Sequence, residues 1–168
     1  WPRSFLFRRR RLQLFLWRLN LAKPEIIIRG LDAMIMANDD AHKRHGVKFT
    51  YKNVLGFAPL QMTWGRYIID AVFRGGDRHS NHEDTAFQMI RHVVRMIRTR
   101  YSQNVPIVIR MDSGFFDQEL FAAMEKLQIG YICGGRFQED IKARIELLPE
   151  SAYQRHFGKT YEDAWEFF

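Results

Sequence analysis

Two aspartates combine a residue type and a position that could support catalysis. Asp32 interrupts the apolar run of residues 26–36, and Asp112 directly follows the apolar run of residues 105–111. An ionised carboxylate on a buried strand is costly unless it is paired or bound to a metal. Two carboxylates brought together would suit Mg2+ or Mn2+ and phosphodiester chemistry. The spacing alone also allows a polar strand end at Asp32 and a simple Asp-Ser-Gly turn at Asp112.

The elements that must position these acids can be traced from periodicity. Apolar residues at 12, 15, 16 and 19 predict a helix over 5–22, which Pro24 ends. Residues 26–36 predict a buried strand, and the polar residues 37–53 a loop. Two further runs, 54–63 and 66–74, meet at Trp64-Gly65 and predict a hairpin.

The second half of the chain alternates helix and strand signals. Ser80 and Glu83 form a capping box before an amphipathic helix that reaches Tyr101. Strands are predicted over 105–111 and 129–134, with a helix between them that Asp117 caps. Further helices are predicted around 137–147 and 160–167.

The resulting order, β-β-β-α-β-α-β, predicts an α/β fold with a ribonuclease-H-like mixed sheet and flanking helices, incomplete in this chain. Other mixed α/β folds share this order. Three regions are expected: residues 1–24 as a basic amphipathic helix ending an upstream DNA-binding region, 25–136 as the catalytic core, and 137–168 as an insertion or a truncated C-terminal part.

Four segments carry a resemblance to a known family. They are LDAMIMANDD (31–40), TYKNVLGFAPLQ (50–61), FRGGDRHSNHED (73–84) and VIRMDSGFFDQELFAAMEKLQIGYICGGR (108–136). Together they resemble the DDE-type transposases of bacterial insertion sequences, over roughly residues 26–136. Asp-Ser-Gly-Phe at 112–115, with Arg110 two residues before it, is the more specific part.

This resemblance implies that Asp32 and Asp112 are the first two catalytic acids and hold Mg2+ (or Mn2+). It implies cleavage and joining of double-stranded DNA at transposon ends and target, a homodimer of the full-length protein, and a cytoplasmic, nucleoid-associated location. The third acid is expected on a later helix. No acid of residues 137–168 lies in a matching motif, so we expect it to be missing here. A catalytically inactive DNA-binding remnant and another ribonuclease-H-like nuclease are the alternatives.

The charge distribution points to the DNA-contacting residues. The net charge is +7, and residues 1–23 hold seven bases and no acid. Residues 43–110 hold 12 bases against four acids, whereas 111–168 hold six against 11. Six of the basic residues are predicted to contact DNA phosphates: Lys43, Arg44, Lys48, Lys52, Arg74 and Arg110. Arg91, Arg95 and Arg98 on the predicted helix either track DNA or form a solvated face.

Several other patterns are weaker. The single cysteine, Cys133, excludes a disulfide framework and a Cys-rich zinc module, and we expect it in the core. At least one of Phe115 and Phe116 is expected there too. Asp39 and Asp40 are either additional ligands or a solvated loop. Three further possibilities are set aside: zinc at the H-x-x-H pairs (His42 and His45, His79 and His82), a phosphate loop at 158–160, and a membrane span.

Overall fold

A computed structural model describes the backbone of residues 2–38, 44–78, 84–135, 139–152, 154–157 and 164–167. It divides into two compact units, Trp1–Gly135 and Arg136–Phe168. The helices and strands of the first unit are α1 (Pro2–Ala22), β1 (Ile27–Ala33), β2 (Met36–Ala37), β3 (Lys48–Phe49), β4 (Leu55–Phe57), β5 (Leu60–Trp64), β6 (Tyr67–Val72), α2 (Thr85–Arg100), β7 (Ile107–Met111), α3 (Gln118–Lys126) and β8 (Gly130–Cys133). The second unit contains α4 (Glu139–Glu146), β9 (Gln154–Phe157) and β10 (Ala164–Phe167).

The main sheet has five strands in the order β6-β5-β1-β7-β8. β5 is antiparallel to both β1 and β6. A short hairpin turn joins β5 to β6, whereas residues 34–59 connect β1 to β5. β7 is parallel to β1, and β8 is parallel to β7, because α2 and α3 carry the chain back across the sheet. This arrangement confirms the prediction of a ribonuclease-H-like mixed sheet.

The predicted strand over 54–63 is divided in two. Pro59 lies between β4 and β5, and its carbonyl accepts a hydrogen bond from the amide of Met34. β4 pairs instead with β2 and β3 in a separate three-stranded sheet. The segment 37–53, predicted as a loop, includes the short strand β3. The hairpin itself is confirmed, and Gly65 takes a left-handed conformation (φ 56°) in its turn.

The predicted helices are confirmed at α1, α2, α3 and α4. The capping box at 80–83 lies outside the described residues. The helix predicted over 160–167 is wrong, since residues 164–167 form β10, antiparallel to β9. The register places Glu166 opposite Arg155 and Trp165 opposite His156.

One face of the main sheet contributes to the core. Along β1, Ile27 and Leu31 are buried while Ile28 and Asp32 are exposed, and β7 alternates in the same way. The buried face of α1 joins this core through Leu12, Phe15, Leu16 and Leu19, as do the apolar faces of α2 and α3. The sheet and α1 therefore share one hydrophobic core. The assignment of α1 to an upstream DNA-binding region stays a prediction.

Arg29 is a charged residue inside this core. It lies on the buried side of β1 and is 1% exposed, with its guanidinium 3.9 Å from the centre of the Phe15 ring. None of its three guanidinium nitrogens has a hydrogen-bond partner among the described residues. Burial lowers the pKa of Arg29 to about 9, because the charged form loses its hydration. The ring offsets only part of that loss.

We expect Arg29→Met to raise the free energy of unfolding by about 1–4 kcal/mol at neutral pH, because it removes an uncompensated buried charge. Urea denaturation measures this. The gain should shrink as the pH rises above about 9, where folded Arg29 loses its proton while the unfolded side chain keeps it.

The matched control is Arg95→Met on the exposed side of α2, which should change stability by less than about 0.5 kcal/mol. Equal effects of the two substitutions would contradict a special cost of burying Arg29.

Candidate functional site

Asp32 and Asp112 lie at the same edge and on the same face of the main sheet. The parallel register pairs Ile27 with Ile107 and continues to Leu31 with Met111. One further step brings Asp32 opposite Asp112, and neighbouring strands are about 4.8 Å apart. Both side chains are exposed, on the opposite side of the sheet from the buried Leu31 and Met111. The two acids are therefore neighbours in the fold.

A tight turn fixes the backbone at Asp112. Ser113–Phe115 form a single 3-10 turn, and the Gly114 amide donates to Asp112 Oδ1 at 3.0 Å. Phe115 is fully buried and anchors this turn in the core, as expected for at least one of the two phenylalanines. The Cys133 thiol donates to the Asp112 carbonyl over 3.2 Å. Cys133 is half-buried and packs against the core rather than lying inside it.

Helix α3 extends this support away from the acids. The Asp117 carboxylate accepts hydrogen bonds from the amides of Glu119 (2.8 Å) and Leu120 (3.3 Å), which confirms the predicted cap. Phe121 of α3 stacks on Tyr131 of β8, with ring centres 4.6 Å apart. The strand end at Asp112 is thus held by both α3 and β8.

The donor chemistry fits a hard divalent cation. Asp112 Oδ2 and both oxygens of Asp32 accept no hydrogen bond from a described residue, so three carboxylate oxygens at this edge have no donor among the described residues. Oxygen ligands of this type are the ones that Mg2+ and Mn2+ prefer. Within the described ranges no group of three metal-ligating side chains occurs. Asp39, Asp40, His42, His79 and His82 lie outside those ranges.

The basic residues predicted to contact DNA divide into three groups. Arg110 is exposed on β7, on the same face as the acids and two residues before Asp112. Arg44, Lys48 and Lys52 are exposed on the segment around β3. Lys43 lies outside the described residues. The exposed residues are free to reach a phosphate, and their role in DNA binding stays a prediction.

Arg74, the sixth of these residues, is largely buried. Its side chain is 8% exposed, and Nε donates to the Ala58 carbonyl at 2.9 Å. Burial and the nearby charge of Arg78 lower its pKa. Arg74 therefore holds the segment between β4 and β5, and its predicted contact with DNA stays a prediction. Arg98 of α2 is similarly engaged, since it donates to the carbonyls of Gln103 and Gln128.

A cleft beside Arg110 was not anticipated from the sequence. It has a volume of about 340 Å³, and its walls include Ile28, Gly30, Thr63 and Arg110. A Cβ on Gly30 would lie 2.7 Å from Thr63 Oγ1, so a larger residue at position 30 would force the Thr63 side chain to move. A glycine inside a strand pattern is the signal that indicates such a close approach.

A comparison of the sequence with protein families decides the assignment. The model of the transposase DDE domain group 1 matches residues 17–167. The chain belongs to this family. No match was found among curated proteins.

Solved transposases resemble this DDE-domain chain in structure. The catalytic domain of Mos1 mariner transposase is 10% identical, with a TM-score of 0.47, and the match covers 82% of this chain and 64% of that one. The piggyBac transposase in a synaptic complex with hairpin DNA is 12% identical, with a TM-score of 0.48, covering 79% and 28%. The Mos1 paired end complex with Mn is 11% identical, with a TM-score of 0.45, covering 86% and 48%. The chain thus spans less than two thirds of the length of these transposases.

The described part of this DDE-domain chain contains no helix long and apolar enough to cross a membrane.

Because Asp117 caps α3, we expect Asp117→Ala to lower the free energy of unfolding by about 1 kcal/mol in urea denaturation. Asp117→Asn retains an acceptor oxygen and should lose less than half as much. Equal losses for the two variants would show that the hydrogen bonds of the cap are not what stabilises this helix.

Proposed function

We propose that this chain forms the catalytic core of a DDE transposase, which hydrolyses a DNA phosphodiester at a transposon end and transfers the strand to a target. Membership of the family supports the reaction class. The register of β1 and β7 is the observation on which the assignment of residues depends, because it brings Asp32 to Asp112. The proposal includes a homodimer of the full-length protein in the nucleoid of the cytoplasm.

Asp32 and Asp112 would hold Mg2+ (or Mn2+). When bound, such an ion activates an attacking hydroxyl and stabilises the leaving oxygen of a phosphodiester. The Gly114 amide orients the Asp112 carboxylate through Oδ1. Arg110, on the same face, is placed to bind a backbone phosphate next to the acids, and the absent side chain of Gly30 leaves the adjacent cleft open.

The exposed bases Arg44, Lys48 and Lys52, with Lys43, would bind phosphates further along the DNA. They precede β4, in a segment where the sequence carries an excess of positive charge. The predicted third acid is not assigned to a residue, and the intact parent protein is therefore the material for a test of catalysis.

Asp112→Asn in the intact protein should reduce Mg2+-dependent cleavage of transposon-end DNA by at least about 100-fold and leave DNA binding unchanged. Asparagine can still accept the Gly114 hydrogen bond, so the turn is preserved. In the 168-residue chain, the same substitution should weaken Mn2+ binding by at least about tenfold in calorimetry.

Asp117→Asn is the matched control, since it neutralises a nearby acid outside the site. Normal cleavage by the Asp112→Asn protein would refute the metal assignment. DNA binding without cleavage by the unmodified parent protein would favour the inactive remnant. Cleavage of RNA–DNA hybrids without a need for transposon ends would favour another nuclease.

We also expect Arg110→Gln to weaken binding of duplex DNA of any sequence and to reduce the slope of log K against log salt by about 1. Arg144→Gln, an exposed arginine on α4, is the control. Equal slopes for Arg110→Gln and the unmodified chain would exclude a phosphate contact by Arg110.

A further inference from the structure

Helix α1 has a second apolar stripe that the core does not use. Leu14, Trp17 and Leu21 are 62%, 57% and 64% exposed and follow one another at helical spacing. Trp17 and Leu21 form one wall of a groove of about 490 Å³. Trp64 at the end of β5, Gly65 in the hairpin turn and Tyr67 at the start of β6 line the rest together with Arg18 and Ala22. Three aromatic side chains therefore line one groove.

Two arginines border this aromatic groove. The Arg18 guanidinium lies 4.0 Å from the centre of the Tyr67 ring, and that of Arg66 lies 5.7 Å from it. Hydrogen bonds from both arginines lower the pKa of the Tyr67 phenol. Each guanidinium has five N–H donors, which can bind an anion. Both residues are exposed.

A buried charge adds to the positive potential under the groove. Phe15 packs edge-on against Trp64, with ring centres 5.5 Å apart, and also covers the Arg29 guanidinium. Arg29 has no hydrogen-bond partner among the described residues, so its charge is not compensated there by hydrogen bonding. The sequence of α1 contains no acid. The groove thus combines aromatic surface with positive charge, and this selects an anionic, aromatic occupant.

We propose that this groove binds an unpaired nucleotide of DNA, with its base stacked on Trp17 and Tyr67 and its phosphate bound by Arg18 and Arg66. Stacking on aromatic side chains beside cationic groups is how proteins bind single strands without reading sequence. A second copy of the chain is disfavoured, because a two-fold contact would bring the same positive surfaces together. The inference rests on the proposed function, since that supplies DNA to the protein.

The groove is separate from the acids. Gly30 pairs with Thr63 and Asp32 with Gln61, so Trp64 lies about three residues, or about 10 Å, further along β5 than the partner of Asp32. Trp64 also lies on the helix-covered side of the sheet, packed against the core. A nucleotide bound here would belong to a strand flanking the cleaved bond.

The test uses the full chain with Trp1→Phe and Trp165→Phe, which leaves Trp17 and Trp64 as its tryptophans. The probe is an oligothymidylate of about 12 nucleotides, within the site sizes of single-strand-binding folds. We expect it to quench tryptophan fluorescence, whereas a blunt-ended duplex of two complementary strands should not. In fluorescence-anisotropy titrations of the labelled probe, Trp17→Ala should raise Kd by about tenfold, and Trp17→Phe by less than about threefold.

Arg18→Gln with Arg66→Gln should reduce the salt slope for the single strand by about 0.7 or more. Phe49→Ala and Arg144→Gln, both exposed and outside the groove, are the matched controls and should bind normally. Circular dichroism checks that each variant is folded.

Normal affinity and salt slope in the folded groove variants would overturn the proposal. A change only in the sedimentation of the groove variants would also overturn it, because it would indicate that a second copy of the chain occupies the groove. A change only in their binding to anionic vesicles would overturn it as well. Loss of single-strand binding in the groove variants, with normal cleavage by the Asp112→Asn protein, would uphold the groove and reject the catalytic assignment. Normal single-strand binding by the groove variants, with loss of cleavage by the Asp112→Asn protein, would reject the groove and uphold the catalytic assignment.

Discussion

The parallel pairing of β1 with β7 is the constraint on which the site depends. The two acids are far apart in sequence, and only this pairing brings them to the same edge. Hydrogen bonds between the strands fix their register, and the core residues on their buried side oppose a slip. A shift by one residue would move Asp32 to the side of Ile27 and Leu31, where its charge would be buried. The geometry of the acids is therefore stabilised by the apolar residues that alternate with them.

The second acid is fixed more firmly than the first. Asp112 is tied by its own turn through Gly114, by the buried Phe115 and by the Cys133 thiol. Asp32 is held by the pairing of β1 with its two neighbours, opposite Gln61 on β5. The chain thus supplies one carboxylate that a turn preorganises, at Asp112, and one that is held only through the pairing of its strand, at Asp32. Groups that must bind an ion in a set geometry benefit from such support.

Much of this arrangement could be predicted from the sequence because the strands that carry the acids are short, apolar and well separated by helices. The division of the predicted strand 54–63 at Pro59 could not be predicted, because the residues on both sides of Pro59 are apolar and resemble one continuous strand. Strand β10 was mistaken for a helix because its few residues show no clear period, and the pairing with β9 is a tertiary effect. The burial of Arg74 could not be predicted either, because sequence does not show whether a guanidinium bonds a phosphate or a backbone carbonyl such as that of Ala58.

Arg29 links the two surfaces of α1. On the inner side of α1, folding buries the Arg29 guanidinium under Phe15 and leaves its charge without a hydrogen-bond partner among the described residues. On its outer side, the groove at Trp17 and Trp64 is one aromatic layer away. An anion in that groove would interact favourably with the buried charge across a medium of low dielectric constant. Because such an anion binds only the folded chain, it would stabilise the fold at the position where burial costs most.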